Sequence, residues 1–214
     1  NHVVTEPGEQ VDPDVQRILV GERPLPRAPK PIHQVLHKPR AVLTTRNDPE
    51  ERPTVFDLIT DPPPSLVAVG RLDWGTEGVL LLTNDGELAH RLTHPSYGVP
   101  KTYLVKVSGT PDERKLAMLT RGIKLDDGPT DPALVEIVHS AGPSTWLLIT
   151  ISEGRNRIVR RMLEHVGHPA LKLKRVAFAG ITLRGLEPGV VRNLSVGELR
   201  HLRSLVKAPG KPKL

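Results

Sequence analysis

Apolar residues in this chain fall mostly in short runs, and most of those runs have the length or period of β-strands. Leu66–Val69 and Val79–Leu82 are continuous apolar stretches on either side of a Gly-rich turn. Each is too short for a helix and is bounded by turn signals, so each reads as a buried strand. Thr102–Ser108 alternates apolar and polar residues, the pattern of a strand with one buried face. Residues 32–39, 133–139, 145–152 and 171–178 also read as strands. Helical spacing is clearest over 156–166. There Val159, Met162, Leu163 and Val166 fall on one side, and Arg157, Arg160, Arg161 and Glu164 on the other. Pro111 and an acidic first turn open a helix over 112–121. Further helices are predicted over 53–59, from Asp85 or Gly86 to Leu92, and over 196–206. Strands outnumber helices, and the helices fall irregularly between them. The pattern predicts an α+β fold with a mostly antiparallel sheet.

Turn and linker signals divide the chain. Residues 1–22 read as short strands, His2–Thr5 and Ile18–Val20, with Pro7-Gly8 and Asp12-Pro13 as turns between them. Four prolines interleaved with Arg23, Arg27 and Lys30 over 23–31 prevent regular helix and favour an extended linker. The main domain is expected over 32–206, followed by a basic, disordered tail over 207–214. The first residue is Asn1, so the chain is expected to begin inside a longer gene product.

Composition narrows the function classes. The chain has 214 residues, 37% of them hydrophobic, which is enough for a sizeable core. Lys and Arg total 30 against 24 Asp and Glu, giving a net charge of +6. That balance favours polyanionic partners such as RNA. There is no Cys, which excludes disulfides, Cys-based zinc sites and thiol catalysis. No apolar run approaches the ~20 residues that span a bilayer. The start carries no basic-then-apolar signal region, so a cytoplasmic location without membrane contact is expected.

Three segments concentrate chemistry. The first is Gly70-Arg71-Leu72-Asp73-Trp74-Gly75-Thr76-Glu77-Gly78, a tight loop between the two apolar runs. It holds a carboxylate, Asp73, with Arg71 on the same side if the extended geometry persists. Taken alone, Asp73 could equally cap its own turn, and Arg71 could be a phosphate-binding or salt-bridging surface residue. The second is Pro100-Lys101-Thr102-Tyr103-Leu104-Val105-Lys106-Val107. Tyr103 offers a flat face and a phenol, and it is expected to share a face with Lys101 and Val105. A packing role is the alternative for Tyr103, and Lys101 suits a phosphate contact. The third is Glu153-Gly154-Arg155-Asn156-Arg157-Ile158-Val159-Arg160-Arg161-Met162, where Arg155, Asn156, Arg157, Arg160 and Arg161 form a basic, RNA-facing set or a plain solvated face. Lys172, Lys174 and Arg175 suit one basic sheet face against RNA phosphate, or an ordinary solvent-facing strand. His90 and His94, and His165 and His168, lack a third ligand in register, so no metal site is expected.

The loop and the run after it, through Asn84-Asp85-Gly86, resemble the signature G-R-L-D-x-x-(T/S)-x-G-L-(L)-L-L-T-(N)-D-G of a family of uridine-to-pseudouridine isomerases. That family comprises ribosomal synthase A for small-subunit RNA, with synthases B, E and F for large-subunit RNA. The other two segments resemble that family's P-K-x-Y-x-V-x-V strand and its E-G-R-N-(R/H)-Q-V-R-R-M helix, with Ile158 where Gln is common. The resemblance covers roughly residues 32–205. It implies a bent central sheet with an active cleft across its middle, and a cofactor-independent RNA pseudouridine synthase. Asp73 matches the family's essential carboxylate, either attacking covalently or taking a proton from the sugar. Arg71 matches the residue that fills the space left by the extruded base, Tyr103 lies where the family's Tyr sits under that base, and Arg160 matches the Arg that pairs with the Asp. The segment from Val42 to Leu58 looks closest to the large-subunit synthase B group, which implies 23S ribosomal RNA as substrate. A 16S or tRNA substrate, or a silent RNA-binding ribosome-assembly factor that keeps the fold, stand as alternatives. Residues 1–22 resemble the last part of an S4-type RNA-binding domain without its helical pair. A monomer is expected.

Overall fold

The structure is a computed structural model that describes residues 3, 8, 10–12, 15–24, 29–207 and 210. It divides the chain into two compact units, Asn1–Pro31 and Ile32–Leu214. In the first, β1 (Leu19–Val20) and β2 (Arg23–Pro24) form a small antiparallel hairpin turned at Gly21. Arg23 and Pro24 thus pair as strand rather than opening a linker. The strand expected at His2–Thr5 lies outside the described residues apart from Val3. Most of the expected tail lies outside them too, although Gly210 donates to the Ser96 carbonyl at 3.1 Å.

The second unit runs β3 (His33–Lys38), β4 (Val67–Val69), β5 (Glu77–Thr83), α1 (Gly86–Thr93), a 3₁₀ turn at Pro95–Tyr97, and β6 (Lys101–Ser108). It continues through α2 (Glu113–Arg121), the small hairpin β7 (Lys124–Leu125) and β8 (Gly128–Pro129), β9 (Leu134–Ala141) and β10 (Ser144–Ile151). It closes with α3 (Ile158–His165), β11 (Ala170–Phe178), β12 (Ile181–Thr182), β13 (Val191–Asn193) and α4 (Val196–Leu205). Nine strands form one mixed sheet in the order β13-β3-β5-β11-β6-β10-β9, with β4 paired to β5 and β12 to β11. Every pairing in it is antiparallel except β5 with β11. Among the described residues no helix is long and apolar enough to cross a membrane.

The apolar run in β5 is continuous because both of its faces are covered. Leu80 and Leu82 join one core with Leu36, Val105, Leu147, Met162 and Leu163, whereas Val79 and Leu81 join a second with Val35, Leu92, Phe178 and Leu202. At the centre, β11 crosses β5 so closely that a Cβ on Gly78 would lie 2.2 Å from the Arg175 carbonyl oxygen. Only glycine fits there. This crossing sets the end of β4, the start of β5, β6 and β11 around one spot.

The helix expected over 53–59 does not form. Thr54 instead makes an isolated parallel bridge with Leu43, flanked by the Leu43 N–H to Pro53 and Val55 N–H to Leu43 bonds. The Asp57 carboxylate accepts from the Thr54 N–H at 2.7 Å and from its hydroxyl at 3.0 Å, which folds the segment into turns. The strands β7, β8, β12 and β13 are two or three residues long, too short to carry a local sequence pattern. Such strands are set by their partners rather than by a local pattern.

Candidate active site

The loop between β4 and β5 is built from a left-handed glycine, Gly70 at φ +72°, and a buried Leu72 that anchors it in the core. Its backbone is clamped from several directions. Thr44 donates its hydroxyl to the Leu72 carbonyl at 2.9 Å, and Ala41 N–H donates to Trp74 at 2.9 Å. Arg160 Nη2 donates to Gly75 at 3.4 Å. Lys38, fully buried at the end of β3, donates its ammonium to the carbonyls of Pro39, Asp73 and Thr76 at 3.0, 3.2 and 3.0 Å. Five successive carbonyls, from Leu72 to Thr76, are therefore all engaged. The Asp73 side chain is presented from a backbone with little freedom, which is the preorganisation a catalytic group needs. Burial pushes Lys38 down to about 8, with Asp73 and Glu77 opposing that shift and Arg175 adding to it.

Asp73 faces a cavity of about 150 Å³. A void of about this volume holds one six-membered ring. Asp73 is its one acidic lining residue among the described residues, against the basic Arg71, Lys101, Arg155, Arg157 and Arg175. The cavity's inner end is built by β6 and β11. In β6 the residues alternate, with Lys101, Tyr103, Val105 and Val107 buried, so Tyr103 shares its face with Lys101 and Val105. Arg175 of β11 lies directly opposite Tyr103. Lys101 donates to the carbonyls of Val99 and Ser152 at 2.8 and 3.3 Å. Burial pushes Lys101 down to about 8, helped by the neighbouring Arg175. Lys101 thus lies inside the site and not on an outer phosphate-binding face.

Arg175 corrects a sequence expectation. It is 2% exposed and turned inward, away from Lys172 and from Lys174, which pairs with Glu77 at 3.0 Å. Its Nε donates to the Val79 carbonyl at 2.7 Å, and its guanidinium lies 4.8 Å from the Phe178 ring centre. Arg175 Nη2 and Thr76 Oγ1, both from cavity-lining residues, are buried without a partner. Unsatisfied buried polar groups are rare in folded proteins, and these two suit a polar ligand.

The third segment splits between two duties. Arg157, held at φ +48° where few non-glycine residues sit, lines the cavity. Arg155 also lines it, but its guanidinium is bound to Glu153 at 2.7 Å and Asp127 at 2.8 Å. Arg161 makes a two-pronged pair with the same Asp127, at 2.6 and 2.9 Å. Asn156 is exposed and lies outside the lining. Arg160 makes no ion pair with Asp73 among the described residues. It bridges the Gly75 and Ala170 carbonyls instead, at 3.4 and 3.3 Å. Burial lowers its pKa from the usual range while the Asp73 charge raises it, so the two groups feel each other across the loop.

Known proteins place the chain in a family. The RNA pseudouridylate synthase family matches residues 32–165, more than half of the chain. The chain belongs to this family. Ribosomal large subunit pseudouridine synthase B of Bacillus subtilis (strain 168) is 43% identical over 178 residues, covering 82% of this chain and 73% of the relative. The protein of that name from Salmonella typhimurium is 46% identical over 179 residues, covering 81% of this chain and 60% of the relative. A solved structure described as a crystal structure of pseudouridylate synthase superposes with a TM-score of 0.76 at 30% identity, covering 93% of this chain and 85% of that one. The protein is an RNA pseudouridine synthase, an isomerase, and its α+β architecture is that of the family.

Lys38, Thr44, Thr76 and Arg175 are the parts of this candidate site that the sequence alone does not place in it. Lys38 and Arg175 each carry a charge within a predicted strand, a signal that separates a buried cation from a solvated one only once the neighbouring strands are known.

Proposed function

We propose that this chain converts uridine to pseudouridine in ribosomal RNA, with 23S RNA as its substrate. The reaction breaks the C1′–N1 bond, turns the base, joins C1′ to C5, releases the C5 proton and returns a proton from solvent to N1. Atoms and oxidation level balance without a second substrate. The observation that carries the reading is Asp73, a lone carboxylate in a basic, ring-sized cavity, on a loop whose carbonyls are all engaged. The target base is turned out of the RNA into this cavity, at an unstacking cost of a few kcal/mol. Asp73 acts at C1′ or on the sugar, Tyr103 packs under the base, and Arg71 takes the space the base leaves. Lys101 and Arg175 supply positive charge at the inner end, and Arg157 meets the RNA backbone at the rim. Arg155, Asn156 and Arg161 border that rim, the two arginines already tied to Asp127. Residues 32–206 are the catalytic domain, acting in the cytoplasm as a monomer, and residues 1–22 a remnant of an S4-like RNA-binding fold. The relatives' names support ribosomal RNA.

The substrate is tested with transcripts labelled at uridine C5 with tritium. Release from 23S RNA, and none from 16S RNA or tRNA, is expected. Release from 16S RNA or tRNA alone moves the substrate, and binding without any release identifies a silent RNA-binding factor.

Arg160 stabilises the loop through Gly75, whereas Arg161 ties down the β7–β8 turn. Arg160→Ala is expected to lower turnover by about 10- to 100-fold, because small misplacement of a catalytic group is costly. Arg161→Ala removes a solvent-exposed pair that water screens, so its loss stays within about fivefold. Single-turnover rates at saturating RNA check the order. Equal losses rescued by low salt would mark both as RNA-backbone contacts.

A further inference from the structure

A second hollow, of about 490 Å³, adjoins the Asp73 cavity and shares Arg71, Leu72, Asp73 and Arg157 with it. Trp74 forms part of its wall and is 43% exposed. The chain has six Trp, Tyr and Phe residues, and the other five are buried or half-buried, Tyr103 at 9% among them. The flat face of this indole is therefore open to a stacking partner. The backbone that carries the ring is fixed, since the Trp74 carbonyl is held by Ala41 and its neighbours by Thr44, Lys38 and Arg160.

The hollow is lined by Arg52, Arg71 and Arg157 against Asp48 and Asp73, a net positive wall that suits an anion. Asp48 lines the hollow too, but Arg52 holds it through two bonds of 3.0 and 2.8 Å, so the pair is mutually neutralised. Arg71 and Arg157 pair with no carboxylate among the described residues. An exposed indole beside two uncommitted guanidinium groups matches how proteins hold single-stranded nucleic acid, by stacking a base and neutralising its phosphate.

We infer that this hollow seats the unstacked base of a nucleotide flanking the target uridine, stacked on Trp74, with its phosphate held by Arg157. The inference rests on the RNA substrate proposed above. It makes Trp74 a second anchor, which holds the strand open while the target occupies the Asp73 cavity.

Base stacking on an aromatic ring quenches its fluorescence and is reported without turnover. The full chain is titrated with unmodified 23S transcript, with binding followed in parallel by filter retention. RNA is expected to quench the emission of the parent protein. It should leave Trp74→Phe, where Trp146 is the remaining indole, unchanged. Trp146 lies on β10 and lines neither hollow. Trp74→Ala should raise KM, or Kd read directly, by about tenfold, as loss of one base–aromatic stack does. Trp74→Phe should recover most of that loss. An unquenched Trp74 in RNA-bound protein, or a KM and Kd within twofold for Trp74→Ala, overturns the inference. Quenching in a protein that releases no tritium would leave this site standing and refute the proposed activity instead. Failure to bind RNA at all refutes both.

Discussion

Asp73→Asn abolishes isomerisation, with turnover down by about 10²- to 10⁴-fold or more, the range associated with losing a positioned acid–base group. The exchange is nearly isosteric and leaves the Leu72–Thr76 carbonyl bonds untouched, because these run through the backbone. Folding and RNA affinity should therefore remain close to those of the parent. No other carboxylate among the described residues lines the cavity to take over the role. Activity within a factor of about ten of the parent, in single-turnover assays at saturating RNA, would remove Asp73 from the chemistry.

The second large effect is expected at Lys38. Lys38→Met keeps an unbranched side chain, one atom shorter, and loses three hydrogen bonds to the carbonyls of Pro39, Asp73 and Thr76. Two terms oppose each other. Removing a buried charge is favourable, whereas each orphaned acceptor costs about 1–3 kcal/mol. The Asp73 carbonyl keeps the Thr76 N–H at 3.0 Å, so two acceptors are orphaned; the second term still wins, and a net loss of about 1–3 kcal/mol is expected. Loosening the Asp73 loop should lower turnover by about a hundredfold. The pH dependence separates this effect from simple cavity formation. Lys38 sits at about 8 in the fold against 10.5 for a free lysine. Between those values the unfolded chain holds more protons than the folded one, so stability rises with pH across that window. Lys101 titrates in the same range. Urea unfolding at several pH values from 7 to 10 should therefore show a shallower rise in Lys38→Met than in the parent. An unchanged slope would show that Lys38 is not the buried, depressed cation described here.

Much of this site was legible because its parts are local in sequence. Leu66–Val69, the Gly-rich loop and Val79–Leu82 announce strand, turn and strand, and Asp73 stands where the loop must expose a side chain. Tyr103 could be given a face because β6 alternates cleanly. Helix α3 followed from the spacing of Val159, Met162, Leu163 and Val166. What escaped depends on partners far along the chain. Arg175 resembles its neighbours Lys172 and Lys174, and only the β5 crossing and the register with Tyr103 turn it inward. Lys38 looks like the end of an ordinary strand until the loop at Asp73, thirty-five residues on, arrives to use its ammonium. The expected Arg160–Asp73 pair illustrates a further limit. Helical spacing placed Arg160 on the correct face, but whether it met the carboxylate or the backbone of the same loop was decided by where β11 delivers the Ala170 carbonyl. The segment 53–59 had a proline start and apolar residues at helical spacing, yet the bridge to Leu43 and the Asp57 side chain outcompeted a helix.

The central claim is that this cavity rearranges uridine within RNA. Tritium counted from C5-labelled 23S transcript, incubated with the purified chain alone, tests it most directly. Release should rise to one tritium per modified uridine and stop, with pseudouridine recovered at the same position. Bound RNA that keeps all of its tritium through prolonged incubation would contradict it.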